Sequence, residues 1–114
     1  MLLHIVALLA LLCGSPALAA GPVRAVPKGT PYSVARRLLI TMGYQPEPVP
    51  AMRQRCAPER AEICRAYAEA ERCSGGARSA CTFLWRGGES LVEVATTGED
   101  ELVVDRLRCR AACG

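Results

Sequence analysis

From Cys81 to Cys109 the chain is built of short apolar runs separated by turn residues. Cys-Thr-Phe-Leu-Trp-Arg is followed by Gly87-Gly88, then Glu-Ser-Leu-Val-Glu-Val-Ala-Thr-Thr, then Gly-Glu-Asp-Glu, then Leu-Val-Val-Asp-Arg-Leu-Arg-Cys. Aromatic and β-branched runs broken by glycine and acidic residues predict a three-stranded antiparallel meander with a cysteine near each end. With Gly87-Gly88 as a two-residue turn, Arg86 lies opposite Glu89, Trp85 opposite Ser90, Phe83 opposite Val92 and Cys81 opposite Val94. Antiparallel partners share a face, so one face carries Cys81, Phe83, Trp85, Val92 and Val94. The other carries Thr82, Leu84, Arg86, Glu89, Leu91 and Glu93 and reads as mixed and solvated. A second turn over Thr97 to Asp100 adds Val103, Leu107 and Cys109 to the apolar face and sends Arg106, Arg108 and Arg110 outward together. Asp105 then points inward, a conflict that a bulge or a shorter turn would remove.

Upstream the period changes. Residues 21–29, with Pro22 and Pro27, read as an extended lead-in. Thr30-Pro31 opens a helix, threonine as cap and proline at the first helical position. Ala35, Leu38, Leu39 and Met42 fall at i, i+3, i+4 and i+7 and form its apolar face. Gly43 is a left-handed C′ residue on which Tyr44 folds back. Gln45 to Pro50, with Pro46, Pro48 and Pro50, is a semi-rigid loop. A second helix is expected from about Pro58 to Cys73, with Ala61, Cys64, Ala68 and Glu71 on a narrow stripe, Ile63 and Tyr67 alongside, and Glu62–Arg65 and Glu69–Arg72 as i, i+3 pairs. The fold class these elements predict is α+β: two helices packed on a three-stranded antiparallel β-meander, in one domain over residues 30–114.

The first twenty residues read differently from the rest. Leu2 to Leu12 is almost wholly apolar, Gly14-Ser15-Pro16 breaks it, and Ala17-Leu18-Ala19 supplies the small alternate residues of a signal-peptidase site. The run is shorter than the roughly 20 residues a spanning helix needs, so residues 1–20 are expected to be a cleaved secretory signal, leaving no membrane span. Lipidation at Cys13 is the alternative, disfavoured by Leu12 before it. Of the seven cysteines, removal of Cys13 leaves Cys56, Cys64, Cys73, Cys81, Cys109 and Cys113. An even number in a short exported chain reads as disulfides, not as a metal site. Cys73 with Cys81 is the favoured pair, because Ser74-Gly75-Gly76 is a flexible return. Cys56–Cys64 and Cys109–Cys113 complete an all-local set, although spacing alone does not choose among connectivities. Each bridge contributes about 2–4 kcal/mol.

The chemistry the sequence offers is narrow. His4, the one histidine, leaves with the signal, so the mature chain lacks an imidazole base for Ser-His-Asp or Cys-His catalysis. No Cys-x-x-Cys occurs, which removes the usual redox signature. The reading is therefore no enzyme, no cofactor and no metal, with a carboxylate hydrolase built on Glu89, Glu93 and Asp105 as the alternative. Every basic residue but Lys28 is an arginine, yet the net charge is only +3, and no basic run is interleaved with aromatics, so nucleic acid is not an expected partner. The candidate binding surface is Arg106, Arg108 and Arg110 with Leu84 and Leu91, presented to an unknown protein or envelope polymer.

Val26-Pro27, Ala35-Arg36, Leu38-Leu39, Gly43-Tyr44 and Pro46 resemble the opening of a PASTA module, the small β-α-β-β-β unit of bacterial envelope proteins, although that family lacks this cysteine pattern and second helix. The helix-then-sheet order is similar to the β-lactamase-inhibitor-protein type of envelope domain. The whole pattern is similar to small cysteine-rich exported proteins of proteobacteria. These resemblances imply a location at the bacterial envelope; the Arg106, Arg108 and Arg110 stripe and the wet face with Leu84 and Leu91 motivate the reading of a periplasmic or secreted binding or inhibitor-like module.

Overall fold

The computed structural model describes residues 25–113. The expected secretory signal, residues 1–20 with His4 and Cys13, lies outside the described residues. Two α-helices, α1 (Tyr32–Thr41) and α2 (Ala61–Ala66), accompany a six-stranded sheet. Its strands are β1 (Gln45–Pro46), β2 (Arg55–Cys56), β3 (Ala70–Cys73), β4 (Cys81–Gly87), β5 (Ser90–Thr97) and β6 (Val103–Ala111). They run in the order β2-β3-β4-β5-β6, with β1 also on β4. β2 and β3 are parallel and the other pairs antiparallel, so the sheet is mixed. The fold is α+β, and the expected three-stranded meander is its β4–β5–β6 portion, not the whole sheet.

The difference lies in residues 58–73. A 3-10 turn at Pro58–Arg60 and the short α2 replace the first part of the expected long helix, and β3 replaces its end. Tertiary pairing overrides local helix propensity here. Ala70 and Cys73 are fully buried, and both reach the core because a bulge places Glu71 as an extra residue between them. The expected Glu62–Arg65 and Glu69–Arg72 pairs do not form; Glu69 bonds to Arg36 instead. The proline-rich stretch after α1 is also less loop-like than expected. Gln45 and Pro46 pair with Arg86 and Trp85, the Glu47 N–H donates to the Leu84 carbonyl at 2.9 Å, and the Val49 N–H to that of Ala68 at 2.8 Å.

The β4–β5 register is shifted by two residues from the expected one: Phe83 faces Val94, Trp85 faces Val92 and Gly87 faces Ser90. A two-residue shift leaves every side chain on its face, so the inner apolar set survives intact. The turn is Gly88-Glu89, with Gly88 at φ +59° in the first central position, where a type II′ hairpin takes glycine. Gly87 ends the strand opposite Ser90, and the Tyr44 ring fills the space a Cβ there would need. Arg86 therefore faces Leu91, not Glu89, and pairs with Glu47 at 2.9 Å. On β6 the anticipated bulge is present. Ala95 pairs with Arg106 and Thr96 with Val104, so Asp105 is extruded towards Lys28 at 3.3 Å while Val104 is buried.

Helix α1 ends as its sequence dictates. Gly43 adopts φ +89°, its N–H donates to the Ile40 carbonyl, and the Tyr44 N–H donates to that of Leu39, the paired bonds of a Schellman motif. Its start differs: Pro31 is the cap position, and the Thr30 hydroxyl donates back to the Pro27 carbonyl at 2.6 Å. The lead-in joins the sheet edge through Gly29 N–H to Val104 O and Val104 N–H to Thr30 O. Tyr32, Ala35 and Leu39 are buried against the inner face, whereas Leu38 is 36 % exposed. Tyr32 stacks on Phe83 with ring centroids 3.9 Å apart, and Tyr67 meets both edge-on. Cys56–Cys64, Cys73–Cys81 and Cys109–Cys113 are disulfide-bonded, the all-local set.

Candidate functional site

The outer face of the sheet holds the unexpected chemistry. Leu84 and Ala95 are 9 % exposed there and Glu93 only 2 %, so the centre of this face is covered, not wet. The register aligns Leu84 on β4, Glu93 on β5 and Arg108 on β6 in one row across the strands. A second β6 bulge makes Arg110 the extra residue between the Leu91–Ala111 and Val92–Cys109 pairs. That bulge brings Arg110 to the same carboxylate as Arg108. Arg108 Nη2 lies 3.1 Å from Glu93 Oε2 and Arg110 Nη1 2.7 Å from Glu93 Oε1. Two guanidiniums thus supply the charge and hydrogen bonds that a buried carboxylate requires.

Arg110 also grips the bulged Glu71 of β3 as a fork, with Nη1 to Oε1 at 2.9 Å and Nη2 to Oε2 at 3.2 Å. The Thr82 hydroxyl donates to the same carboxylate at 3.3 Å. The Arg110 hydrogen bond, outweighing the opposing effect of partial burial, holds the Glu71 carboxyl below the ordinary glutamate range. These contacts form one wall of a cleft of about 460 Å³ lined by Arg53, Arg55, Glu71, Arg72, Glu93, Arg108 and Arg110. Among the described residues no ion pair engages Arg53, Arg55 or Arg72 at close range. Arg55 and Arg72 are register partners on the parallel β2–β3 pair, so their side chains project side by side.

A second recess of about 410 Å³ continues across the same face and shares Arg72 with the first; Arg78, Arg106 and Asp105 line it as well. The opposite sign gathers at one end of the molecule, where Glu59, Glu62, Glu99, Asp100 and Glu101 border two further recesses. Arg60, 5 % exposed, organises that end by donating to the Gly98 and Glu99 carbonyls, both at 2.9 Å, and so fastens the β5–β6 turn.

Of the candidate binding residues, Arg108 and Arg110 line the first recess and Arg106 the second. Leu84 is buried and lines neither, and Leu91 lines neither. The carboxylates considered for hydrolysis are not gathered: Glu93 is locked by two arginines, Asp105 sits on its bulge beside Lys28, and Glu89 occupies the β4–β5 turn. Sequence reasoning places Glu71 and Arg72 on a helix and gives Arg53 and Arg55 no role, so it does not bring these four together at the cleft. The available signal was Arg53-Gln54-Arg55-Cys56, whose alternation suits a short strand. Among the described residues no group of three His, Cys, Asp or Glu side chains is placed to hold a metal ion, and no helix is long and apolar enough to cross a membrane. No family model, no curated protein and no solved structure matches this chain.

Proposed function

We propose that the protein is an exported, disulfide-stabilised binding module, not an enzyme, and that its working surface is the arginine cleft on the outer sheet face. The observation that carries this reading is the division of labour among the five arginines of the cleft. Arg108 and Arg110 are committed to Glu93 and Glu71, which fixes the walls, while Arg53, Arg55 and Arg72 keep exposed forks for a ligand. Planar guanidinium forks favour carboxylate and phosphate groups. A fixed wall beside free donors lowers the ordering that binding must impose. The three disulfides suit an oxidising compartment.

Calorimetric titration of the oxidised protein with inorganic phosphate and with acetate tests this. Saturable binding of at least one anion is expected, and it should be lost when Arg53, Arg55 and Arg72 are all changed to alanine. Equal heats from the parent and the triple variant would remove the cleft as the working surface.

A further inference from the structure

The two recesses of the outer face meet at Arg72, which lines both, and together they are longer than a single anion needs. Arg55, Arg72, Thr82, Ala95 and Arg106 are successive register partners, one on each of β2, β3, β4, β5 and β6. At a strand spacing of about 4.8 Å this row spans about 19 Å. Arg53 and Arg78 flank it, and Arg72 stands where the recesses meet. Neither recess contains an aromatic side chain, so there is no platform for a base or a sugar ring to stack upon. Affinity on this face must come from charge repeated along a ligand, not from a ring or an apolar group.

We infer that this face binds a linear phosphate chain laid across the strands, with Arg53, Arg55 and Arg72 holding one end and Arg78 and Arg106 the other. This rests on the cleft reading above and extends it from one anionic group to several in series. A chain of phosphates carries negative charge at every unit and has no ring to accommodate, which matches a lining that is polar and rich in guanidinium. Glu71 and Glu93 do not repel it strongly, because Arg108 and Arg110 neutralise both. The acidic end formed by Glu99, Asp100 and Glu101 keeps the chain to this face by repulsion.

The test is binding of short linear polyphosphate to the oxidised protein, followed by fluorescence anisotropy over a series of salt concentrations. Polygalacturonate, a single-stranded oligonucleotide and inorganic phosphate serve as competitors. Five uncommitted arginines, each releasing about 0.7 of a counterion, predict that log K falls with log salt with a slope of about −3 to −4. Changing Arg78 and Arg106 together to alanine should weaken binding by about tenfold or more and reduce the slope by about 1.4, and Arg72→Ala alone should reduce it by about 0.7. Surface arginines are tolerant positions, and unchanged thermal melts show that each variant is folded.

If the Arg78/Arg106 variant binds polyphosphate with parental affinity and slope while the Arg53/Arg55/Arg72 variant does not, the site takes a single anion; the chain inference falls and the cleft reading stands. If no arginine variant changes the binding of any probe, both fall. If the oligonucleotide or polygalacturonate competes as well as polyphosphate itself, the assignment to a phosphate chain is overturned.

Discussion

Among the described residues two carboxylate side chains are buried, one on each side of the sheet, and they are put to different uses. Glu69, 1 % exposed, accepts from the Tyr32 hydroxyl at 2.8 Å and from Arg36 at 2.7 Å, and Trp85 Nε1 donates to the same Tyr32 hydroxyl at 3.2 Å. Every partner of Glu69 is held by rings: Tyr32 stacks on Phe83, and the Arg36 guanidinium lies over Tyr67 and Trp85. Glu93, nearly as buried, is held by Arg108 and Arg110, whose side chains are 56 % and 33 % exposed; Arg36 is 31 % exposed, but among the described residues it is the arginine seated over rings. The same charge pairing therefore closes a core on one face and pins the wall of an open cleft on the other. What decides between them is the packing around the arginine, not the pair itself. A buried ion pair is weak grounds for stability, and here it marks a site on only one side.

The largest expected effect separates the faces by packing. Trp85→Ala removes a fully buried indole together with the donor to Tyr32, and should cost about 3–5 kcal/mol in urea unfolding. Arg106→Ala, on an exposed outer position, should change stability by no more than about 0.5 kcal/mol. An outer-face loss approaching the Trp85 value would mean that both faces are core.

The next prediction sets the two carboxylates against each other directly. Glu69→Leu leaves the Tyr32 hydroxyl without its acceptor inside the packed core and should cost about 1–3 kcal/mol. Glu93→Leu releases Arg108, which can turn to water, and leaves Arg110 paired with Glu71, so its cost should stay below about 1 kcal/mol. The two changes should also part company in binding. Without Glu93 the cleft loses a negative charge and gains the Arg108 guanidinium, while Arg110 stays on Glu71, so affinity for polyphosphate should rise, whereas Glu69→Leu should leave it unchanged. Chemical denaturation and anisotropy on the same two variants check both halves, and a fall in affinity on losing Glu93 would show that the carboxylate positions its arginines for the ligand.

The inner face was the legible one. Phe83, Trp85, Val92 and Val94 declare themselves by alternation, and an error of two residues in the turn cannot move them off their face. Asp105 announced its own bulge by falling where no carboxylate belongs. Gly43-Tyr44 declared the end of α1 through the chemistry of the left-handed cap. The cleft was less legible, for a physical reason. It is assembled from β2, β3, β5 and β6, and β3 exists only because β4 offers it an edge, while its own residues prefer helix. Once Ala70 to Cys73 are read as helical, Arg72 and Glu71 are lost from the sheet, and Arg55 loses its partner. The burial of Glu93 depends on two arginines brought together by a bulge, which no periodic pattern encodes.

The smallest expected effects come from titration, and the two faces should show them at opposite ends of the pH scale. On the inner face, burial, reinforced by the negative charge of Glu69, pushes the Tyr32 hydroxyl well above its ordinary value of 10. The folded state thus keeps a proton that the unfolded state releases, and stability from this group is complete below about pH 10 and falls as pH rises beyond it. Burial raises the Tyr44 hydroxyl as well, so Tyr32→Phe should reduce the alkaline slope without removing it. On the outer face, the Arg110 hydrogen bond lowers the Glu71 carboxyl from 4.5. Here the unfolded state takes up the proton first, so the contribution is complete above the unfolded value and is lost as pH falls below it. For a pair a third exposed at Arg110 and nearly as exposed at Glu71, that contribution is under about 1 kcal/mol. Urea midpoints measured across the acid limb for the parent and for Glu71→Gln should converge as pH falls below 4. If the two curves stay parallel, the Arg110 fork does not stabilise the folded state and Glu71 serves only to shape the cleft.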